Sequence, residues 1–193
     1  MIRLRILHDD DASNPRDDDN LGTIATWHRR YKLGDVQPSE DPESWLASLP
    51  KGSVTLPIYA YDHGSLSIQC GPFACRFDSG QLGYITIAPD RIRQEYSVQR
   101  ITGKLREKVS AILESEVVHY NYWLQGACWG YEIEGHRVED SCWGFIGDDL
   151  AYTGLKSYIP SEWHNLLGKA WDARFDGTWV MTPDIISRES SHG

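Results

Sequence analysis

The sequence predicts an α+β protein with a mainly antiparallel sheet that is built from hairpins. Short apolar and β-branched runs alternate with turn residues, as they do in hairpins. One stretch, about residues 103–124, has apolar residues spaced by three and four, and this spacing predicts a long amphipathic helix. Strands and helices do not alternate regularly, which argues against a parallel sheet. Shorter helices are expected to complete the packing.

Five short runs in the first part of the chain are predicted to be strands. They share alternating apolar or β-branched residues, and turn residues separate them. The runs are residues 2–7, 21–31, 54–61, 65–70 and 84–87. A short helix is predicted to begin at Asp41, because this capping carboxylate precedes Pro42 at the first helical position, and to end near Leu49.

A second hairpin is predicted after the long helix, with arms at 127–134 and 137–146 about Gly135. In the first arm, Trp129 and Tyr131 are predicted to share one face. In the second arm, Cys142 is predicted to face away from Trp143 and Phe145.

The chain is predicted to hold a single α+β domain over residues 1–147. Residues 148–181 are expected to form a C-terminal helical extension that packs on this domain, with Pro160 opening the last helix. The polar residues 182–193 are expected to form a flexible tail.

Composition excludes several functional classes. The 193 residues include 28 acidic and 19 basic ones, a formal net charge of -9, which argues against a protein that coats nucleic acid. No apolar run reaches the length of a membrane span, and the first residues do not resemble a signal peptide. The four cysteines are therefore expected to be reduced thiols in a cytoplasm, and their spacing is not that of a zinc ribbon. No cofactor is expected, apart from a divalent cation as an alternative.

The loop at residues 8–20 is the first candidate site, because carboxylates and amides on a flexible loop suit a hard cation. The candidate ligands are His8, Asp17, Asp19 and Asn20. Their spacing is not that of an EF-hand. The alternative is a solvated acidic loop that uses its side chains to cap turns.

Histidines and aspartates near predicted turns form the second candidate site. Catalytic candidates are His28, Asp62, His63 and Asp78, since a neutral imidazole beside carboxylates can act as an acid or base, or as a metal ligand. The alternative is ordinary turn chemistry, with the two arginines after His28 on a surface strand and paired with the acidic loop.

Seven strings in the chain, taken together and in this order, are similar to a family of proteins carried by bacteriophages, prophages and plasmids. The strings are Asn14-Pro15-Arg16, Asp19-Asn20-Leu21-Gly22-Thr23, His28-Arg29-Arg30-Tyr31, Leu33-Gly34-Asp35, Tyr61-Asp62-His63, Asp78-Ser79-Gly80-Gln81 and Asp140-Ser141-Cys142-Trp143-Gly144-Phe145. The resemblance covers roughly residues 5–147. It implies an origin in a mobile element and the cytoplasm of a bacterial host cell, and it implies no particular activity or catalytic residue.

Two hypotheses for function follow. The first is an accessory protein that binds a host or defence protein, with carboxylates placed where phosphates would sit, so that it contacts neither nucleic acid nor a membrane itself. Its expected partner-binding residues are Glu132, Glu134, Glu139, Asp140, Asp148, Asp149 and Trp143. The second is a metal-dependent hydrolase in which the Asp and His candidates converge on a divalent ion that activates water.

Overall fold

A computed structural model of the chain describes residues 2–75, 77–135 and 139–182. The chain forms two compact units. The central unit comprises residues 14–125, and the terminal unit comprises residues 1–13 and 126–193. Each unit contains one four-stranded sheet in which every strand pair is antiparallel, so the predicted α+β class is confirmed.

Eight strands and four α-helices are seen in the described part of the chain. The strands are β1 (Ile2–His8), β2 (Thr23–Thr26), β3 (Val54–Asp62), β4 (Leu66–Gln69), β5 (Ser79–Ile87), β6 (Cys128–Glu134), β7 (Glu139–Ile146) and β8 (Val180–Thr182). The helices are α1 (Pro42–Ser48), α2 (Pro89–Glu95), α3 (Gly103–Leu124) and α4 (His164–Asp172). The predicted long helix coincides with α3.

The terminal unit has a sheet of strand order β7-β6-β1-β8, against which α4 packs through β1 and β8. Alternation places Leu4 and Ile6 of β1 in the core and leaves Arg3 and Arg5 half-exposed. The predicted extension belongs to this unit and supplies part of its core. Its buried members are Leu155, Ile159, Trp163, Leu166, Leu167, Ala170 and Trp171. Residues 183–193 of the predicted tail lie outside the described residues.

An irregular pairing in the β6–β7 hairpin changes the predicted faces of β7. Trp129 and Tyr131 are buried together, as predicted. Trp143 and Phe145, however, do not share a face, since Phe145 is buried in the core whereas Trp143 is 44% exposed. The register shifts between Trp129 and Tyr131, and Gly144 has a φ of 87°, so one extra residue on β7 interrupts the alternation.

The central unit has a sheet of strand order β2-β5-β3-β4, and α3 packs on β3, β4 and β5. The α3 helix begins after Thr102, whose hydroxyl oxygen accepts a hydrogen bond from the backbone N–H of Leu105 at 3.2 Å. Its residues Val109, Leu113 and Val117 are fully buried. The spacing that predicted the helix is therefore the spacing of its core face.

Two strands of this sheet differ in length from the prediction. The strand predicted over 21–31 ends at Thr26, because the chain then turns and the Nδ1 atom of His28 accepts N–H groups that would otherwise extend the ladder. The strand predicted over 84–87 starts earlier, at Ser79. There, pairing with β3 outweighs the low β propensity of Gly80 and Gln81.

Gly83 is predicted to be the least replaceable residue of the central sheet. A Cβ atom added there would lie 2.0 Å from the backbone oxygen of Ala25, whereas one added at Gly80 on the same strand would meet nothing within 4 Å. We expect Gly83→Ala to lower the free energy of unfolding by roughly 2–3 kcal/mol through overpacking. Gly80→Ala is the control and should change it by less than ~1 kcal/mol. Urea denaturation followed by circular dichroism measures both, and equal effects would contradict the close approach of β2 and β5.

Candidate functional site

The guanidinium of Arg16 lies at the centre of a buried polar network in the central unit. Its side chain is 3% exposed. It donates two parallel hydrogen bonds to the carboxylate of Asp35, at 2.9 and 2.6 Å, and one to Glu116 of α3 at 3.0 Å. Asn20 Oδ1 and the carbonyl oxygen of Gly22 accept the remaining N–H groups, at 2.9 and 2.7 Å. All five donors of the guanidinium are satisfied.

Both carboxylates of this network also hold the backbone. Asp35 accepts the N–H of Ile24 at 2.6 Å, and Glu116 accepts the N–H of Leu21 at 2.7 Å. Burial alone would lower the pKa of Arg16, but the hydrogen bonds and the charges of its two carboxylate partners raise it above the ordinary value. The network thus joins the loop that precedes β2 to α3.

The predicted metal ligands have different environments. The Nδ2 group of Asn20 donates to the carbonyl oxygens of Pro15 and Asp18, so its side chain is engaged in shaping the loop. Asp17 is exposed, and Asp19 forms an exposed ion pair with Arg91 at 3.0 Å.

The fourth predicted ligand, His8, belongs to the terminal unit. Its Nδ1 atom lies 2.7 Å from the carboxylate of Asp10, and its Nε2 atom lies 2.5 Å from the carbonyl oxygen of Gly126. Across residues 2–75, 77–135 and 139–182, no group of three His, Cys, Asp or Glu side chains is arranged to hold a metal ion.

Three of the predicted catalytic residues meet where β3 ends and β5 begins. The Nδ1 atom of His63 lies 3.3 Å from the carboxylate of Asp78, and the N–H of Asp62 donates to the backbone oxygen of Asp78 at 3.0 Å. The thiol of Cys75, which sequence reasoning did not select, lies 3.8 Å from the same carboxylate. The side chain of His63 is 70% exposed, so the cluster lies at the surface. The fourth candidate, His28, instead bonds its own loop.

The terminal sheet carries a ladder of ion pairs between β1 and β6. Arg3 lies opposite Glu134 and Arg5 lies opposite Glu132 in the register, and each arginine binds the glutamate that it faces. The two guanidinium groups also lie 4.4 Å from the ring centre of Trp179. Alternation on β1 places both arginines on the face opposite Leu4 and Ile6, and the register sets their partners.

The predicted partner-binding residues of the hairpin border a depression of about 330 Å³. It is lined by Glu132, Ile133, Glu134, Glu139, Asp140 and Ser141. The hydroxyl of Tyr131 donates to the carboxylate of Asp140 at 3.0 Å, and burial together with this hydrogen bond raises the pKa of Tyr131 to about 12. On the same hairpin, the ring of Trp143 lies against Gly130, where an added Cβ atom would be 2.1 Å from it.

The other two predicted acids follow β7. Asp148 is exposed. Burial raises the pKa of Tyr152, and the charge of Asp148 raises it further. The carboxylate of Asp149 accepts N–H groups from Ala151 at 2.8 Å and from Tyr152 at 3.1 Å, so it caps the turn that follows.

Comparisons with protein-family models, with curated proteins and with solved structures gave no match. Among the helices of the described residues, none combines the length and the apolar character that crossing a membrane requires.

Replacing Arg16 tests its role in holding the loop. Arg16→Met should lower the free energy of unfolding by roughly 3 kcal/mol, because it leaves two partly buried carboxylates without their cation. It should also speed hydrogen exchange at the amides of Leu21 and Ile24. Arg93→Met is the control: it removes an exposed pair with Asp90 and a hydrogen bond to the carbonyl oxygen of Gln99, both outside this loop, and should cost less than ~1 kcal/mol. A loss for Arg16→Met no larger than that for the control, with unchanged exchange, would contradict the assignment.

The imidazole of His119 on α3 offers a second test. Burial lowers its pKa below the ordinary 6.5, and the charge of Asp18 partly opposes this. Because the folded pKa is below the unfolded one, the neutral form of His119 stabilises the fold at neutral pH, and this contribution is lost as the pH falls through both values.

We expect NMR titration of His119 to give a pKa below 6.5, and Asp18→Asn to lower it further. Asp11→Asn in the terminal unit serves as the control and should leave it unchanged. A pKa of His119 at or above 6.5, or a higher pKa in Asp18→Asn, would contradict the roles assigned to burial and to Asp18.

Proposed function

We propose that the protein is an accessory protein of a bacteriophage or other mobile element that binds a basic surface of a host or defence protein. The contact surface is the acidic hairpin, defined as β6, β7 and the two aspartates that follow β7. The observation that carries the proposal is the depression that Glu132, Glu134, Glu139 and Asp140 line on this hairpin. The family resemblance supports the bacterial setting.

The distribution of charge supports a contact at the terminal unit. This unit holds fourteen acidic and seven basic residues, whereas the central unit holds fourteen acidic and twelve basic ones. Seven of the nine excess negative charges are therefore in the terminal unit. A concentrated negative potential speeds association with a basic partner and disfavours acidic ones.

Within the depression, the four carboxylates are of two kinds. Glu132 and Glu134 are paired with arginines, so they contribute shape and orientation more than net charge. Glu139 is exposed and forms no ion pair with any described residue. Among the same residues, Asp140 is bound only through the neutral hydroxyl of Tyr131. These two carboxylates are therefore the ones that a cation of the partner would meet.

Trp143 provides a rigid aromatic anchor beside these charges. Its ring rests on Gly130, while 44% of the residue remains exposed to solvent. Tryptophan is enriched among the residues that dominate binding energy at protein interfaces. Since surfaces that bind nucleic acid are basic, a partner of this kind would lose access to nucleic acid when bound to the acidic hairpin.

The experiment compares two variants of equal charge. The hairpin variant is Glu139→Lys with Asp148→Lys, and the control variant is Glu162→Lys with Asp172→Lys. All four acids are exposed and lie in the terminal unit, but the control pair lies outside the hairpin. Each purified protein is immobilised, bacterial lysate is passed over it, and the retained proteins are quantified by mass spectrometry.

We expect the wild type and the control variant to retain nucleic-acid-binding proteins from the lysate at low salt. Raising the salt concentration should release these proteins. The hairpin variant should retain them at least about tenfold less, and Trp143→Ala should weaken binding of the purified partner by roughly tenfold or more. Identical retention by the two charge variants, or binding that salt does not affect, would rule out the acidic hairpin as the contact.

A further inference from the structure

The loop that follows β2 presents three cations that no acidic side chain among the described residues pairs with. We call residues 27–32 the basic loop. Arg29, Arg30 and Lys32 are all exposed, and their side chains form no ion pair or hydrogen bond within the described residues. The sequence had favoured pairing of the two arginines with the acidic loop. In the structure, Asp19 of that loop instead pairs with Arg91.

Hydrogen bonds and one ring contact order the basic loop and its two ends. The Nδ1 atom of His28 accepts the N–H groups of Arg30 and Tyr31 at 3.2 and 3.1 Å. The imidazole also stacks on the ring of Tyr31, with 4.8 Å between ring centres and 13° between planes. At the end of β2, the hydroxyl of Thr26 donates to the carbonyl oxygen of the buried Leu33 at 2.7 Å. The cations are therefore presented from a pre-organised loop.

The basic loop lies in a stretch, residues 20–39, that has a local excess of positive charge. Between residues 20 and 39 the only acidic residue is Asp35, and its carboxylate is bound by Arg16. The net charge of -9 belongs to the whole chain, and most of the excess acid lies in the terminal unit. A small basic site is compatible with that average.

We propose that the basic loop binds single-stranded nucleic acid. Arg29, Arg30 and Lys32 contact successive phosphates, and an unpaired base stacks on the ring pair formed by Tyr31 and His28. Cations beside an aromatic ring are the combination by which proteins hold single strands without reading sequence. Tyr31 is 39% exposed, so its ring is accessible to a base. A duplex keeps its bases stacked internally and offers none to the ring.

Fluorescence anisotropy with a labelled single-stranded DNA of 12 nucleotides tests the proposal on the full chain. The triple variant Arg29→Ala/Arg30→Ala/Lys32→Ala is compared with Lys51→Ala/Arg100→Ala/Lys104→Ala, which removes three other exposed cations of the central unit. Tyr31→Leu tests the stacking contribution. An unlabelled duplex of the same length serves as a competitor.

We expect the logarithm of the association constant to fall with the logarithm of salt concentration with a slope of about -2, as for up to about three phosphate contacts on a single strand. The loop variant should lose at least about tenfold in affinity and most of this slope, while the control variant keeps both. Tyr31→Leu should lose roughly tenfold with its slope retained.

Three results would overturn the proposal. One is no binding of the strand by the wild type at 50 mM salt and millimolar protein. The second is an equal loss in the loop and control variants, which would indicate diffuse attraction. The third is a duplex that competes as well as the single strand while Tyr31→Leu has no effect, since that pattern excludes stacking of a base.

Discussion

The central unit depends most on the hydrogen bonds and ion pairs of one buried group, the guanidinium of Arg16. A buried cation is tolerated only when every donor has an acceptor and its charge has a partner. Here Asn20, Asp35 and Glu116 meet those requirements by accepting hydrogen bonds from Arg16. These bonds also fix the path of the loop before β2. The polar side chains of Arg16, Asn20 and Asp35 are accounted for by this scaffold.

The same network shapes what the central unit presents to solvent. Asp35 lies near the end of the turn after β2, and Arg16 neutralises it. An unpaired carboxylate at that position would offset part of the charge on Arg29 and Arg30. Because both oxygens of this carboxylate accept hydrogen bonds from the buried guanidinium of Arg16, its charge is already balanced. A structural ion pair thereby keeps Asp35 from offsetting the charge of Arg29, Arg30 and Lys32, which form no ion pair within the described residues.

Much of the fold is predictable from local pattern, and the rest depends on distant partners. Helix α3 was predicted because its core face repeats at the helical period. The opposite faces of Trp143 and Phe145 were missed, since a bulge at Gly144 cannot be read from alternation. The role of Arg16 was also missed, because Glu116 is 100 residues away in the chain. Among the site candidates, His63 and Asp78 were found through turn chemistry. Cys75 was missed although it precedes Asp78 by only three residues, since no turn or ligand pattern marks it.

Net charge is a sum over the whole chain, and in this protein the sum describes neither unit. A value of -9 conceals a terminal unit that holds most of the excess acid and a central unit that is close to neutral. Electrostatic recognition acts over about 8–10 Å at physiological salt, so a ligand responds to the charges near its contact. The acidic hairpin and the basic loop each carry few charges, and each has an aromatic ring held by packing or stacking: Trp143 on Gly130, and Tyr31 on His28. Because the two surfaces belong to different units, substitutions in one leave the residues of the other intact, so the two proposals can be tested independently.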